Sequence, residues 1–166
     1  MRKILCIIAL SLVALTAYPL DLPEIFGDNM MLQQKTNAKM WGWSQGGSTV
    51  TITTSWNNKS YTVKADKKTG RWEVKMQTPE ASYKTFSITV KGDGKTVTIS
   101  NVLIGEVWFC SGQSNMEISL GGVWNCPIEG SNEAIATSGK YKHAIRFVTI
   151  PKADALEPQD KVKGKW

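Results

Sequence analysis

Short segments that alternate apolar and polar residues fill the first two-thirds of the chain, and they constrain its fold more than any other feature. Alternation with a period of two places successive side chains on opposite faces of a β-strand. Turn-forming "NNK", "DKKTG" and "GDG" separate the segments. β-sandwiches have such short strands at regular spacing. We therefore predict an antiparallel β-sandwich over residues 18–103, built from "STVTITTSW" (Ser48–Trp56), "SYTVKA" (Ser60–Ala65), "RWEVKMQ" (Arg71–Gln77), "TFSITVK" (Thr85–Lys91) and "TVTISNV".

The pattern changes near Leu103. The near-continuous apolar run "LIGEVWFCSG" (Leu103–Gly112) is typical of a strand that is buried on both faces. Two segments with helical preferences follow, "SNMEISL" and "NEAIATSGKY", and then a second apolar strand, "AIRFVTI" (Ala144–Ile150). Strand, helix, strand predicts the first βαβ crossover of an α/β sheet over residues 104–166. Two parallel strands leave edges and faces uncovered, so we expect this second domain to be truncated.

The first residues have the pattern of a signal peptide. Arg2 and Lys3 precede an apolar stretch from Ile4 to Leu15, which is too short to span a bilayer as a helix. We assign residues 1–17 to the signal peptide, with cleavage after Ala17. A secreted or periplasmic protein with no membrane span after cleavage is the expectation.

Charge and cysteine usage narrow the classes of partner. The formal net charge is +6, but the lysines are spread through turn-like segments and form no basic patch with interleaved aromatic residues. We therefore expect no nucleic-acid partner. Cys110 and Cys126 remain after signal cleavage, and either a disulfide between them or two separate buried thiols fits the sequence. No CxxC motif or His/Cys cluster indicates a metal site.

Ser114 stands where the apolar run gives way to the helical segment "SNMEISL". A strand that delivers a serine to a helix N-terminus suits a nucleophile, because the unpaired N–H groups there favour a developing anion. Gly112 would let the backbone approach a substrate closely. The alternative is that Ser114 only caps the helix, with Glu117 three residues on as in a capping box.

The wider motif resembles a known family. "GQSNM" (Gly112–Met116) after an apolar strand is similar to the first block of the SGNH hydrolase superfamily. "GEVWFCSGQSNME", preceded by "LPEIFGDNMMLQQ", resembles the sialate O-acetylesterase family, and "GWSQGGSTVTI", "KTGRWEV" and "IRFVTIPK" follow the order of that family. The resemblance covers most of the mature chain. It implies a β-domain followed by a flavodoxin-like α/β/α hydrolase domain, here incomplete.

The resemblance also implies a chemistry. It makes Ser114 the nucleophile of a serine esterase that removes O-acetyl groups from sugars or glycans, with its own backbone N–H as one oxyanion donor. Gln113 and Asn115 would hold the turn in shape, and neither a metal nor an organic cofactor is needed. The base would be a histidine in an Asp-x-x-His motif. His143 has Lys140 three residues earlier and does not match that motif, so we expect the base, and the activity, to be missing from this chain.

Two other functions fit the sequence. The first is a non-catalytic carbohydrate-binding β-module, with Trp41, Trp43 or Trp56 as sugar platforms. The second keeps the esterase chemistry but replaces sialate by acetylated xylan or another polysaccharide. The "GQSNM" motif does not distinguish these substrates.

Overall fold

The computed structural model of the chain describes residues 19–124 and 126–166. The predicted signal peptide, residues 1–17, lies outside the described residues. Within the described residues, no helix is both long and apolar enough to cross a membrane.

Seven strands form two sheets in the described part of the chain. The larger sheet has five strands in the order β1-β7-β6-β3-β4, and the smaller one pairs β2 with β5. All pairs are antiparallel except β1 with β7, which are parallel. The strands are β1 (Met31–Gln33), β2 (Asn37–Trp43), β3 (Thr49–Thr54), β4 (Ser60–Lys64), β5 (Arg71–Gln77), β6 (Ser82–Gly92) and β7 (Lys95–Gly105).

The two sheets share one hydrophobic core. The region that we predicted as an antiparallel β-sandwich is therefore β-rich, as expected, but its β1–β7 pair is parallel. Trp72, Met40 and Met76 reach it from the smaller sheet, and Ile52 and Ile88 reach it from the larger one. All five side chains are buried. Because alternate residues of each strand face this core, the period-two pattern of the sequence has a direct structural cause.

The turns between strands follow from their residues. Asp93 and Gly94 join β6 to β7 with φ values of 51° and 70°. A two-residue hairpin turn of type I′ needs positive φ at both central positions, and Asp-Gly is among the sequences that tolerate this. The turn therefore fixes the register of the longest strand pair in the molecule.

The predicted strands of the second domain differ from the structure. β7 ends at Gly105, so only the start of the run Leu103–Gly112 is a strand, and Ala144–Ile150 forms none. Trp108 and Phe109 are 83% and 89% exposed. A strand of this apolar kind needs neighbours at its edges and cover on both faces. The described part of the chain supplies neither, so these two segments have no sheet to join.

Helical structure after β7 is short. A single 3₁₀ turn covers Ser114–Met116, where we predicted a longer helix over "SNMEISL". The helix predicted within "NEAIATSGKY" is present as α1 (Ser131–Thr137), which continues into a 3₁₀ turn at Ser138–Tyr141. The α/β/α arrangement implied by the family resemblance is therefore not confirmed.

Candidate functional site

Ser114 lies at the start of the 3₁₀ turn, nine residues after the end of β7. Its side chain is exposed, and its hydroxyl makes no hydrogen bond with any described residue. The turn is closed by two backbone bonds, from Met116 N–H to Gln113 C=O (2.9 Å) and from Glu117 N–H to Ser114 C=O (3.0 Å). The structure thus presents a free serine hydroxyl on a backbone turn.

Gly112 lies close to a neighbouring side chain, whereas the side chains of Gln113 and Asn115 are exposed. A Cβ atom on Gly112 would lie 2.8 Å from Cγ of Met116, so any larger residue at this position would push against Met116. The side chains of Gln113 and Asn115 are exposed and make no hydrogen bonds with the described residues. Gly112 therefore has a packing reason in the structure, whereas the proposed supporting roles of Gln113 and Asn115 remain predictions.

The capping box that we considered for Ser114 is not formed. Gln113, in extended conformation, takes the N-cap position, and no side chain caps the turn. The carboxylate of Glu117 forms an ion pair with Lys152 instead of returning to the backbone. Ser114 therefore does not cap this turn, and the alternative that it serves only as a helix cap loses its main support.

Glu106 at the exit of β7 is held by two amide side chains from the end of β1. Nε2 of Gln33 donates to Oε2 of Glu106 at 2.9 Å, and Nε2 of Gln34 donates to Oε1 at 2.5 Å. Oε1 of Gln33 accepts from the N–H of Val107 at 2.8 Å. The hydrogen bonds from Gln33 and then Gln34 lower the pKa of the Glu106 carboxyl. These contacts join the motifs "DNMMLQQ" and "GEVWFCSGQSNME", and they set the direction in which the chain leaves the sheet.

Sequence reasoning missed this clamp, which we define as Gln33, Gln34 and Glu106. Both motifs were identified, but nothing in their spacing placed them side by side. The parallel pairing of Gln33 with Gly105 brings them together. The one signal in the sequence was the pair of adjacent glutamines, Gln33 and Gln34. Polar side chains at the end of a strand often form hydrogen bonds with the neighbouring strand.

Cys110 and Cys126 are both free and exposed, and no bond joins them in the structure. Neither expectation is met here, since a disulfide is absent and the thiols are not buried. Cys126 instead takes part in a tight turn, in which its backbone N–H donates to Val123 C=O at 2.9 Å. Gly122 is needed there, because with φ of 77° it approaches the Cys126 carbonyl too closely for a side chain.

No described residue activates Ser114. His143 makes no hydrogen bond with Ser114, and it lines a separate cavity with Arg146. Among the described residues, no group of three or more histidine, cysteine, aspartate or glutamate side chains could hold a metal ion. Within the described residues, Ser114 is therefore a serine without a base in hydrogen-bond contact.

The three tryptophans considered as sugar platforms are in contact with other parts of the chain. Trp41 packs edge-on against Phe26 and donates from Nε1 to the Asp160 carbonyl. Lys161 covers the ring of Trp43 at 4.8 Å. Trp56 packs edge-on against Phe86, and its Nε1 donates to Gln77 C=O. All three are half-buried. These contacts speak against an open aromatic platform for a sugar ring.

The amino-acid sequence of the chain is similar to those of known proteins. No protein-family model matches the chain. A sialate O-acetylesterase from Rattus norvegicus is 31% identical over 148 residues, which cover 84% of this chain and 27% of the relative. A sialate O-acetylesterase from Pongo abelii is 29% identical over 151 residues, which cover 86% of this chain and 28% of the relative. The chain therefore spans just over a quarter of the length of these curated relatives.

A solved structure gives a similar result. The crystal structure of a carbohydrate acetylesterase from Xanthomonas citri matches with a TM-score of 0.75 and 29% identity. The match covers 89% of this chain and 32% of that one. The similarity thus extends beyond the β-rich region into the segment that contains Ser114.

Proposed function

The chain belongs to the sialate O-acetylesterase-like family, and we propose that it forms part of a serine carbohydrate O-acetylesterase whose nucleophile is Ser114. The observation that carries the proposal is the exposed hydroxyl of Ser114, which bonds to no described residue and lies on a turn that begins nine residues after the end of β7. The named relatives are carbohydrate esterases, and a free serine in their shared segment fits that chemistry.

The proposed reaction is a double displacement. Oγ of Ser114 attacks the acetyl carbonyl carbon, and a general base takes the hydroxyl proton. The backbone N–H of Ser114 donates to the oxyanion. Collapse of the tetrahedral intermediate breaks the bond to the sugar oxygen, which takes the proton back from the base and leaves as a hydroxyl, so that an acetyl-serine remains. Water then attacks this ester in the same way and releases acetate. The cycle consumes one water and requires no change of oxidation state.

We propose that these 166 residues alone are inactive. Activation by a neighbouring base is what makes a serine hydroxyl nucleophilic, and no described residue bonds to the Ser114 hydroxyl. The apolar side chains that flank the serine turn are also exposed, among them Trp108 and Phe109. The matched segment covers 27% and 28% of the two relatives, so about three-quarters of each relative lies outside it. We assign the base and the remaining oxyanion donors to that part.

The proposed substrate is an O-acetylated sugar. The names of the curated relatives favour an acetyl ester on sialate, while the solved relative is described more broadly as a carbohydrate acetylesterase. An acetylated plant polysaccharide is the alternative within the same chemistry. We also propose that the protein acts outside the cytoplasm. N-terminal sequencing of the mature protein should then begin at Tyr18, and a mature protein that retains Met1 would oppose this.

A chimeric enzyme tests the role of Ser114. In the chimera, this chain replaces the matching segment of the Rattus norvegicus relative, and the release of acetate from O-acetylated sialic acid is measured. Ser114→Ala should lower the turnover number by about 10⁴-fold or more, because loss of the nucleophile disables the catalytic group as a unit. The isolated chain should show no hydrolysis of 4-nitrophenyl acetate that depends on Ser114.

Ser138→Ala is the matched control. Ser138 also lies at the start of a 3₁₀ turn, but its hydroxyl donates to Ile135 C=O at 2.7 Å and it belongs to another segment. This variant should keep the activity of the parent chimera. A folded chimera whose acetate release survives Ser114→Ala would refute Ser114 as the nucleophile. Ser114-dependent turnover by the isolated chain would refute the proposed inactivity.

A further inference from the structure

The clamp is the last point at which the sheet holds the chain before Ser114. Glu106 follows directly after β7, and Ser114 comes eight residues later. Within the part of the chain that the structure describes, all hydrogen bonds between residues 106–116 and the β-rich region come from Glu106 and Val107. The direction of the chain at Glu106 therefore sets the starting point of the segment that carries the serine turn.

Both glutamine side chains of the clamp are oriented by backbone N–H groups. The side-chain oxygen of Gln33 accepts from the N–H of Val107 at 2.8 Å. The side-chain oxygen of Gln34 accepts from the N–H of Ala81 at 2.8 Å. Because the oxygen end of each amide is already in use, each presents its NH₂ group to Glu106, one to each carboxylate oxygen.

This arrangement requires a side chain with two acceptor oxygens at position 106. The carboxylate of Glu106 accepts from both NH₂ groups. An amide at the same position would accept from one of them and would set its own NH₂ group against the other. The hydrogen bonds from Gln33 and then Gln34 lower the pKa of the Glu106 carboxyl, so the ionised form, which only accepts, is favoured.

The clamp is anchored in the β-rich region. The carbonyl oxygen of Gln33 accepts from Oγ1 of Thr78 at 2.7 Å, and Thr78 is buried. The backbone N–H of Gln34 donates to Gly105 C=O at 2.9 Å. Glu106 itself is exposed, and exposed charged contacts contribute little to stability. The main consequence of the clamp is therefore a fixed geometry where the chain leaves β7.

We propose that Glu106 is a positioning residue for the nucleophile, because the clamp fixes the serine turn relative to the sheet. This role rests on the proposed function, in which Ser114 attacks the acetyl ester. Glu106 makes no hydrogen bond with Ser114 and acts through the residues between them. A nucleophile that is displaced by about 1 Å can lose about 10²-fold in rate, so a small change of direction at Glu106 is sufficient to affect the reaction.

The first test measures the position of the serine turn in the whole chain. The three native cysteines are changed to serine, and Lys95→Cys and Asn115→Cys provide two sites for spin labels. Both sites are exposed, and Lys95 lies at the opposite end of β7 from Glu106. Electron paramagnetic resonance gives the distribution of distances between the labels. We expect a narrow distribution in this labelled parent and a broader one after Glu106→Gln.

An exchange of partners within the clamp tests its geometry. When Gln34→Glu is combined with Glu106→Gln, the amide at position 106 accepts from Gln33 and donates to the carboxylate at position 34, and the N–H of Ala81 keeps its acceptor. This double variant should restore the narrow distribution. Gln34→Glu alone sets two carboxylates side by side and should broaden it. Glu129→Gln is the control, because Glu129 is exposed and makes no hydrogen bond with the described residues.

The second test measures acetate release by the chimeric enzyme. Glu106→Gln should lower kcat about tenfold or more and change KM by less than about twofold, because the sugar still binds while the nucleophile is misplaced. The double variant with Gln34→Glu should recover kcat, and Glu129→Gln should retain it. The assays are run at a temperature at which circular dichroism shows every variant to be folded, so a loss of stability does not enter the comparison.

Each outcome decides the proposal. A distribution that broadens in Glu106→Gln and narrows in the double variant supports it, as does a matching loss and recovery of kcat. Equal distributions in the labelled parent and Glu106→Gln would overturn it, and so would an unchanged kcat in Glu106→Gln. If Ser114→Ala abolishes acetate release while Glu106→Gln retains full kcat, only the positioning role fails. If acetate release survives Ser114→Ala, the proposed function itself fails.

Discussion

At the scale of single residues, the carboxylate of Glu106 controls how the chain leaves β7. The amides of Gln33 and Gln34 lower its pKa, so the clamp stabilises the fold above the ordinary carboxyl pKa of about 4.3 and is lost as the pH falls through the lowered value. Glu106→Gln removes this titration. We expect the variant to be less stable than the wild type at pH 7, and the difference to shrink in acid. Urea unfolding at a series of pH values measures it.

Glu129→Gln provides the comparison for this experiment. Glu129 is exposed and its side chain makes no hydrogen bond with the described residues. Its substitution should not change the pH dependence of the unfolding free energy. If Glu106→Gln and Glu129→Gln give the same pH profile, the clamp contributes nothing to stability.

At the scale of elements, the turn between β4 and β5 has a demanding geometry. Oδ1 of Asp66 accepts from the backbone N–H groups of Lys68 and Thr69, and Gly70 follows with φ of 69°. A Cβ atom on Gly70 would lie 2.4 Å from the carbonyl oxygen of Ser44. We expect Gly70→Ala to lower the free energy of unfolding by about 2 kcal/mol or more, since strain and a backbone clash add.

Gly94→Ala separates these two contributions. Gly94 has nearly the same φ, 70°, but a Cβ atom there would meet no atom within 4 Å. Gly94→Ala should therefore lower the free energy of unfolding by about 1 kcal/mol, which is the strain of the left-handed conformation alone. Thermal or urea unfolding of both variants gives the comparison. If both variants lower the free energy of unfolding equally, the backbone around Ser44 shifts to accommodate the new methyl group, and the close contact does not affect stability.

The difference between the two halves of the chain shows which elements the sequence could predict. β5 has the predicted bounds, Arg71–Gln77, because its period-two pattern records burial on one face. The parallel contact of β1 with β7 was not predictable, since three residues, Met31–Gln33, are too few for a pattern. The apolar runs near Phe109 and Phe147 show only that burial is needed. They do not say against what, and both side chains are largely exposed here.

The same limit applies to the candidate site. "GQSNM" identified the serine, because a motif is local in sequence. The clamp at Glu106 and the contact of Arg146 with Asn101 join residues that lie about 70 and 45 positions apart along the chain, and tertiary structure alone brings such residues together.

At the scale of the whole molecule, the segment Asp160–Trp166 returns to the β-rich region and binds there at several points. Arg71 Nε donates to Asp160 Oδ2 at 2.7 Å, and Lys161 pairs with Asp21 at 2.7 Å. Trp166 donates from Nε1 to Ile25 C=O at 2.9 Å and packs against the core. The ion pairs are exposed and contribute little individually. The half-buried indole of Trp166 should therefore supply most of the stability of this contact.

Trp166→Ala tests whether this contact fixes the segment to the rest of the molecule. Loss of the half-buried ring should cost about 1–2 kcal/mol, and cleavage by trypsin at Lys161, Lys163 and Lys165 should accelerate because local opening becomes easier. Trp124→Ala is the control, since Trp124 is 100% exposed and its loss should change neither quantity. Mass spectrometry of timed digests follows the cleavage. If the Trp166→Ala and Trp124→Ala digests proceed at the same rate, the segment is held by its ion pairs, and Arg71→Ala should then release it instead.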